Sequence, residues 1–217
     1  MAGWSYPFGA ELLGRAAGLG TASLHEAAGR RGALPFGLKP LSVSMLLAGP
    51  AFPVRSPRGD NLWLHRAIAE AEAGAVLVAD VGAGEGYGHW GEVMARAAVA
   101  RGLAGLVLTG GIRDSRQLVE LGFPTFCTSV AIQGTAKDFG GDGAIGEPVR
   151  LGDVTVRAGD LIVGDADGLF AIPAAEATAV VAAAEAREAE ERTIFRRLEA
   201  GETTLDIYRL RNGAIQA

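Results

Sequence analysis

AVLVADVGAGEGYGHWGEVMARAAVARGLAGLVLTGGIRD, residues 75–114, decides the fold of this chain. It opens on AVLVAD (75–80), an uninterrupted apolar run of the kind that forms a central strand covered on both faces. A glycine-rich loop (82–88) follows. Then comes GEVMARAAVAR (91–101), an alanine-rich helix stopped by Gly102, and AGLVLT (104–109) repeats the buried-strand pattern. Strand, helix and strand in that order predict a βαβ unit with parallel strands. The loops that follow neighbouring parallel strands lie at one sheet edge, so the two βα turns of this unit face one crevice.

Upstream, TASLHEAAGRR (21–31) reads as a short helix, and the glycines and prolines between Gly32 and Pro57 punctuate two or three short extended pieces. Asp60 is a good helix cap for NLWLHRAIAEAEAG (61–74). Downstream, SRQLVEL (115–121) predicts a helix and PTFCTSV (124–130) a strand beginning at Pro124. Short β runs around Gly152, Gly159, Gly164 and Gly168 predict antiparallel strands with tight turns, in a second sheet layer. From Ala174 to about Ala200 the chain is rich in Ala, Glu and Arg without Gly or Pro, a long helix that is exposed or bridges subunits. The reading is one α/β domain over 1–217, with 174–217 as a helical C-terminal extension.

Composition narrows the function. With 49% hydrophobic and 21% charged residues, the chain has the balance of a folded protein. Its net charge of −5, with basic residues scattered, offers no face to track a phosphate backbone, so nucleic acid is not an expected ligand. A single cysteine, Cys127, rules out an intrachain disulfide and a cysteine zinc cluster and fits a reducing cytoplasm. No basic start followed by an apolar stretch opens the chain, and no segment reaches the roughly 18–20 apolar residues that span a bilayer, so neither export nor membrane insertion is expected.

The loop GAGEGYG (82–88) invites a dinucleotide reading, but the spacing fails. Gly82 and Gly84 would need a third small residue where Tyr87 stands, and Gly84 and Gly86 would need one at His89. The glycines instead bring backbone close to a small ligand ahead of a helix that starts with Gly91, Glu92, Val93 and Met94. Free amides at that start suit a carboxylate. The second turn carries Gly110, Gly111, Ile112, Arg113 and Asp114. Arg113 offers a planar fork for a carboxylate or enolate, and Asp114 a hard oxygen for a divalent cation. Standing alone, an Arg–Asp pair is most often a surface ion pair or a cap; here a second carboxylate, Glu92, begins the preceding helix.

These segments make the chain resemble the class II pyruvate aldolases of the 4-hydroxy-4-methyl-2-oxoglutarate aldolase type and their relatives, the RNase E inhibitor-like (RraA-like) proteins. The resemblance spans Gly59 to Pro173: RGDNLWLHRAI, the stretch from Gly91 through RGLAGLVLTGGIRD, ELGFPTF, and VTVRAGDLIVGDADGLFAIP. It implies a swivelling β/β/α fold, assembly as trimers or hexamers, and sites near subunit interfaces that use magnesium or manganese and a small 2-oxo acid substrate. By motif, Gly91, Glu92, Val93 and Met94 hold the substrate through the helix start, Arg113 binds it, and Asp114 binds the metal. Glu92 stands where the aldolases usually have Asp. The family's Asp-Gly before the Arg region is Thr109–Gly110 here, and its PVFARG segment is PTFCTS, without the Arg. A late-helix carboxylate of a neighbouring subunit, from Glu185, Glu188, Glu190 or Glu191, completes the implied site.

The reaction implied is retro-aldol cleavage of a 4-hydroxy-2-oxo acid to pyruvate, with catalytic residues Arg113, Asp114 and Glu92 and accompanying oxaloacetate decarboxylation. The rival reading is a non-catalytic, RNase E inhibitor-like binding protein; those relatives lack the acid after the arginine. A quinone-precursor methyltransferase is disfavoured by the missing nucleotide fingerprint. Among other side chains, His65 is explained by helix packing, His89 is the one histidine with a candidate substrate contact, Cys127 is core, and Asp165 and Asp167 read as turn residues or as a bridge between subunits.

Overall fold

The computed structural model describes residues 8–212. The helices are α1 (Ala10–Gly18), α2 (Thr21–Ala27), α3 (Leu62–Glu70), α4 (Glu92–Ala100), α5 (Ser115–Leu121), α6 (Ala177–Glu199) and α7 (Thr204–Ile207). The strands are β1 (Lys39–Pro40), β2 (Leu47–Arg55), β3 (Val76–Trp90), β4 (Gly105–Ile112), β5 (Thr125–Val130), β6 (Ala144–Ile145), β7 (Val149–Leu151), β8 (Val154–Val156), β9 (Leu161–Gly164) and β10 (Leu169–Ile172).

The predicted βαβ unit is the centre of the sheet. β3 runs parallel to β4, with Val76 opposite Gly105 and Ala79 opposite Leu108, and both outer neighbours, β2 and β5, are parallel as well. Antiparallel β9 and β10 extend the sheet beyond β2, giving the order β1-β5-β4-β3-β2-β9-β10 with β6 on β2. The segment before β1 then touches both edges. Ala33 bridges Phe170 of β10 and Leu34 N donates to Leu169 O, while Lys39 and Pro40 pair with β5. The mixed sheet is thus nearly closed into a barrel.

Strand periodicity explains why AVLVAD carries no polar face. Val76 and Val78 point into an inner cluster with Leu47, Val107, Phe126 and Ile162, whereas Leu77, Ala79 and Val81 meet the cluster that α3, α4 and α5 build outside the sheet. Leu64, Ile68, Ala95, Ala98 and Leu118 are the helical side of that outer cluster. A third cluster joins α1, α2 and α6 to β9 and β10 through Leu24, Phe170, Val180 and Val181. The buried residues of α6 end at Ala184, and past it Phe195 and, beyond the helix, Tyr208 lie exposed.

Three readings need correction. The run over 145–172 does not form a separate layer: β9 and β10 join the main sheet, because Leu47–Pro50 offers β9 an unpaired edge, and β7 with β8 alone forms a small ribbon. The glycine-rich stretch is no loop; β3 continues through it to Trp90, shifting register against β4 on the way. Such bulges re-aim a strand. The short extended pieces before Pro57 include a nine-residue strand, β2, in which Pro50 marks the change of partner from β9 to β3.

Candidate functional site

The two βα turns meet as the parallel register requires. Trp90 lies opposite Ile112, and the Arg113 amide donates to Trp90 O at 2.8 Å, so the end of β4 is pinned to the end of β3. Trp90 is fully buried and stacked on Phe123, which anchors both turns to the outer core.

Asp114 is the N-cap residue of α5, yet its side chain makes no cap bond to that helix. Its backbone sits in the left-handed region at φ 57°, ψ 38°, which Asp tolerates better than most residues at a cost of about 1–2 kcal/mol. The strained turn swings the carboxylate sideways, and Oδ2 accepts the Glu92 amide of α4 at 3.0 Å. Gly91 makes this approach possible. An added Cβ there would stand 2.5 Å from Asp114 Oδ2 and 3.1 Å from Arg113 Cγ. At Gly88 a Cβ would lie 2.5 Å from Ala131 O and 3.0 Å from Arg113 Cβ, so the strand must also be bare where the arginine crosses it.

A cavity of about 270 Å³ opens at this junction, lined by Gly91, Val93, Met94, Arg113 and Asp114 together with Asn61, His65, His89 and Lys137. Of the residues singled out in the sequence, it gathers Gly91, Val93, Met94, Arg113 and Asp114. The Glu92 side chain is not in its lining; its carboxylate is held by Arg96 one turn along the helix, at 2.7 Å. What Glu92 brings to the site is its backbone amide. Helix geometry leaves the amides of the first turn of α4 without intrahelical acceptors, so those of Val93 and Met94 are donors at the cavity edge. A second cavity, about 360 Å³, lies on the other side of Arg113 and Asp114 and is edged by the exposed Val130 and Ile132.

Sequence reading passed over Asn61 and Lys137 and put His65 down to packing. Asn61 is buried, donates to His89 O at 2.9 Å and leaves Oδ1 without a partner. His65 is half-buried, and Lys137 is exposed. The available signal was the spacing of Asn61 and His65, four apart and therefore on one helix face. His89 is enclosed: Nε2 accepts the Gly59 amide at 3.2 Å and Nδ1 faces Tyr87 O at 3.1 Å. This fixes the tautomer with the proton on Nδ1. Burial holds its pKa below the ordinary histidine value against the opposing backbone contacts.

Elsewhere the side chains are structural. Burial pushes the Cys127 thiol up to about 11, so it is a core residue and no thiolate nucleophile. Asp165 takes the amide and hydroxyl of Thr21 and the amide of Asp167, tying the β9–β10 turn to α2. In α6, Glu185 is bound by Arg15 at 2.6 Å and Glu191 by Arg187 at 3.3 Å, while Glu188 and Glu190 have no ion pair among the described residues. Among those residues no helix is long and apolar enough to cross a membrane.

A nearly closed mixed sheet and a long late helix define a mixed α/β protein, and at its βα turns Arg113 has no carboxylate partner among the described residues. The chain belongs to the RraA-like family, described as Aldolase/RraA, whose model matches residues 21–170. It is 38% identical over 154 residues to a putative 4-hydroxy-4-methyl-2-oxoglutarate aldolase of Halalkalibacterium halodurans, covering 71% of this chain and 72% of that one. A 4-hydroxy-4-methyl-2-oxoglutarate aldolase of Thermus thermophilus is 31% identical over 114 residues, 52% of this chain and 68% of the relative. Among solved structures, an uncharacterised protein from Pseudomonas syringae pv. tomato superposes with a TM-score of 0.83 at 27% identity, over 97% of both chains.

Proposed function

We propose that the chain is a divalent-metal-dependent lyase that cleaves 4-hydroxy-2-oxo acids to pyruvate by retro-aldol reaction and also decarboxylates oxaloacetate. The observation that carries this reading is the contact of Arg113 and Asp114 with the first turn of α4 across Gly91, around one cavity. The names of the aldolase relatives agree with it.

Breaking a bond beside a 2-oxo acid leaves an enolate, and stabilising its oxygen is the main task of such a site. Arg113 has no carboxylate partner among the described residues, so its fork is available to the enolate and carboxylate of the pyruvyl unit. The amides of Val93 and Met94 hold that carboxylate end against rotation. Asp114 is the metal ligand of this reading. Its Oδ2 is steadied by the Glu92 amide and Oδ1 has no protein donor among the described residues, while no cluster of three metal-ligating side chains occurs among them. One carboxylate in an open cavity fits magnesium or manganese, which keep most of their water and take remaining oxygens from substrate. When bound, that ion supplies Lewis acidity to the keto oxygen.

The same reading includes assembly into trimers or hexamers with sites near subunit interfaces. Val93, Val130 and Ile132, at 79%, 57% and 93% exposure, border the site and support a covering partner. Glu185, Glu188, Glu190 or Glu191 of a neighbouring copy is then the carboxylate that completes the site. The finer expectation of a swivelling β/β/α fold belongs to the same proposal.

The test is pyruvate release from a panel of 4-hydroxy-2-oxo acids and oxaloacetate, with and without magnesium. Metal-dependent release from at least one aldol substrate supports the reading. No release from any of them, in a folded protein, overturns it.

A further inference from the structure

The remaining wall of the site cavity is made by α3 and the 134–138 segment, and it carries two titratable side chains that the mechanism above does not use. His65 lies one helical turn after Asn61 on the same face of α3 and lines the cavity. Among the described residues neither of its ring nitrogens has a hydrogen-bond partner. Lys137 is held at the same cavity by its neighbours. The Ala136 amide donates to Gly59 O at 2.8 Å, Ala136 O accepts the Asn61 amide at 3.2 Å, and the Asp138 amide donates to Asp60 Oδ2. The backbone of Lys137 is thus fixed on both sides to the start of α3, and its side chain lines the cavity.

We propose that His65 is the general base and acid of the carbon–carbon cleavage, with Lys137 as its positioning partner; the assignment rests on the lyase reading above. The His65 imidazole takes the proton of the substrate 4-hydroxyl, and C4 becomes a carbonyl as the C3–C4 bond breaks. The electron pair of that bond passes to the pyruvyl unit as an enolate beside Arg113. The imidazolium then returns the proton to C3, which yields pyruvate and leaves His65 neutral. One 4-hydroxy-2-oxo acid gives one pyruvate and one carbonyl product, with no oxidant or reductant.

The surroundings suit the role. Burial and then the charge of Lys137 lower the His65 pKa, against the opposing charge of Asp60, so the ring is a neutral base near pH 7. The other charged groups of the cavity are Arg113 and Asp114. The buried His89 has both ring nitrogens engaged by backbone and is in no position to carry the proton.

His65→Gln keeps the size and polarity of the side chain and removes its proton chemistry. Aldol cleavage is expected to fall about 100-fold or more in kcat, with KM moving much less. Oxaloacetate decarboxylation requires no hydroxyl deprotonation, and the C3 protonation it shares with the aldol reaction can be supplied by solvent water, so it is expected to fall less than tenfold. In the wild type the acid limb of kcat/KM for the aldol should follow the His65 ring pKa read by NMR. Lys137→Met should move the limb and the ring pKa together to higher pH. A folded His65→Gln that loses both activities by the same factor, or loses less than tenfold of the aldol activity, overturns the assignment; so does an acid limb that ignores the ring titration. A wild type that releases no pyruvate from any substrate removes the lyase reading itself, whereas an active wild type with an unselective His65→Gln removes this assignment alone.

Discussion

Two cavities of similar size differ in what their charges are doing. One, of about 300 Å³, lies between α2, β8 and β10 and is lined by Arg31, Asp153, Arg157, Asp160 and Glu176. The other, of about 270 Å³, lies at the βα turns. In the first, Arg31 is paired with Glu176 at 3.2 Å, and both Asp160 oxygens are taken by the amides of Arg157 and Ala174. In the second, Arg113 and Lys137 have no carboxylate partner among the described residues, and Val93 and Met94 of the first turn of α4 line it. The larger volume is thus a fold joint in which, of the charged side chains that line it, Arg157 alone has no partner among the described residues, whereas neither basic side chain of the smaller one has a carboxylate partner among them. Unspent charge, more than volume, marks the site.

The comparison breaks most visibly under substitution of one arginine from each cavity. Arg113→Ala should lower pyruvate release by 100-fold or more, as removal of a transition-state donor does, whereas Arg31→Ala should stay within about twofold. Steady-state rates on the same aldol substrate compare the two. Equal losses would show that the partnered cavity matters as much.

Gly91→Ala should come next, at about 10- to 100-fold in kcat, because the new methyl displaces both the Asp114 carboxylate and the Arg113 stem. Circular dichroism on the same sample checks that the fold is kept. A variant with wild-type kcat would show that the tight contact across Gly91 is dispensable.

Stability should depend on pH through His89. Its folded pKa is depressed, so below the ordinary value of 6.5 the unfolded chain binds a proton that the folded chain resists. Stability is therefore lost as pH falls through 6.5 toward the folded pKa, and levels off below it. Thermal melting from pH 8 to pH 5 should show this fall, and His89→Gln should make it shallower, leaving the share that His65 contributes by the same sign.

The smallest effect is expected at Glu92→Gln. Its carboxylate spans one helix turn to Arg96, an exposed pair worth about 0.3–0.5 kcal/mol. Activity should change by no more than about threefold, because the amide that Asp114 accepts remains. A loss comparable to Arg113→Ala would restore the Glu92 side chain to the chemistry.

Much of the fold is written locally. SRQLVEL becomes α5 at Ser115–Leu121, β5 starts right after Pro124, and the Gly-free run becomes α6 over Ala177–Glu199. Where the chain obeys distant partners, local signals mislead. Pro50 and Pro53 read as punctuation, yet β2 is central because β3 and β9 claim its two ends. Glycines 82–88 read as a loop, yet the stretch extends β3, and at Gly88 a bare backbone is what Arg113 requires beside it. The site divides likewise. Gly91, Arg113 and Asp114 are legible because sequential βα turns must share an edge. Lys137 is not, since its place depends on backbone bonds between the 134–138 segment and Gly59–Asn61. The turn of Asp114 toward α4, away from its own helix, needs the left-handed backbone that no neighbouring residue announces.

The central claim is that Asp114 carries the metal on which turnover depends. Pyruvate release measured against rising magnesium, for the wild type and Asp114→Ala together, tests it most directly. The account predicts a saturable rise in the wild type and a flat response, at least 100-fold lower, in the variant. An Asp114→Ala protein that stays within twofold of the wild type at every magnesium concentration would contradict it.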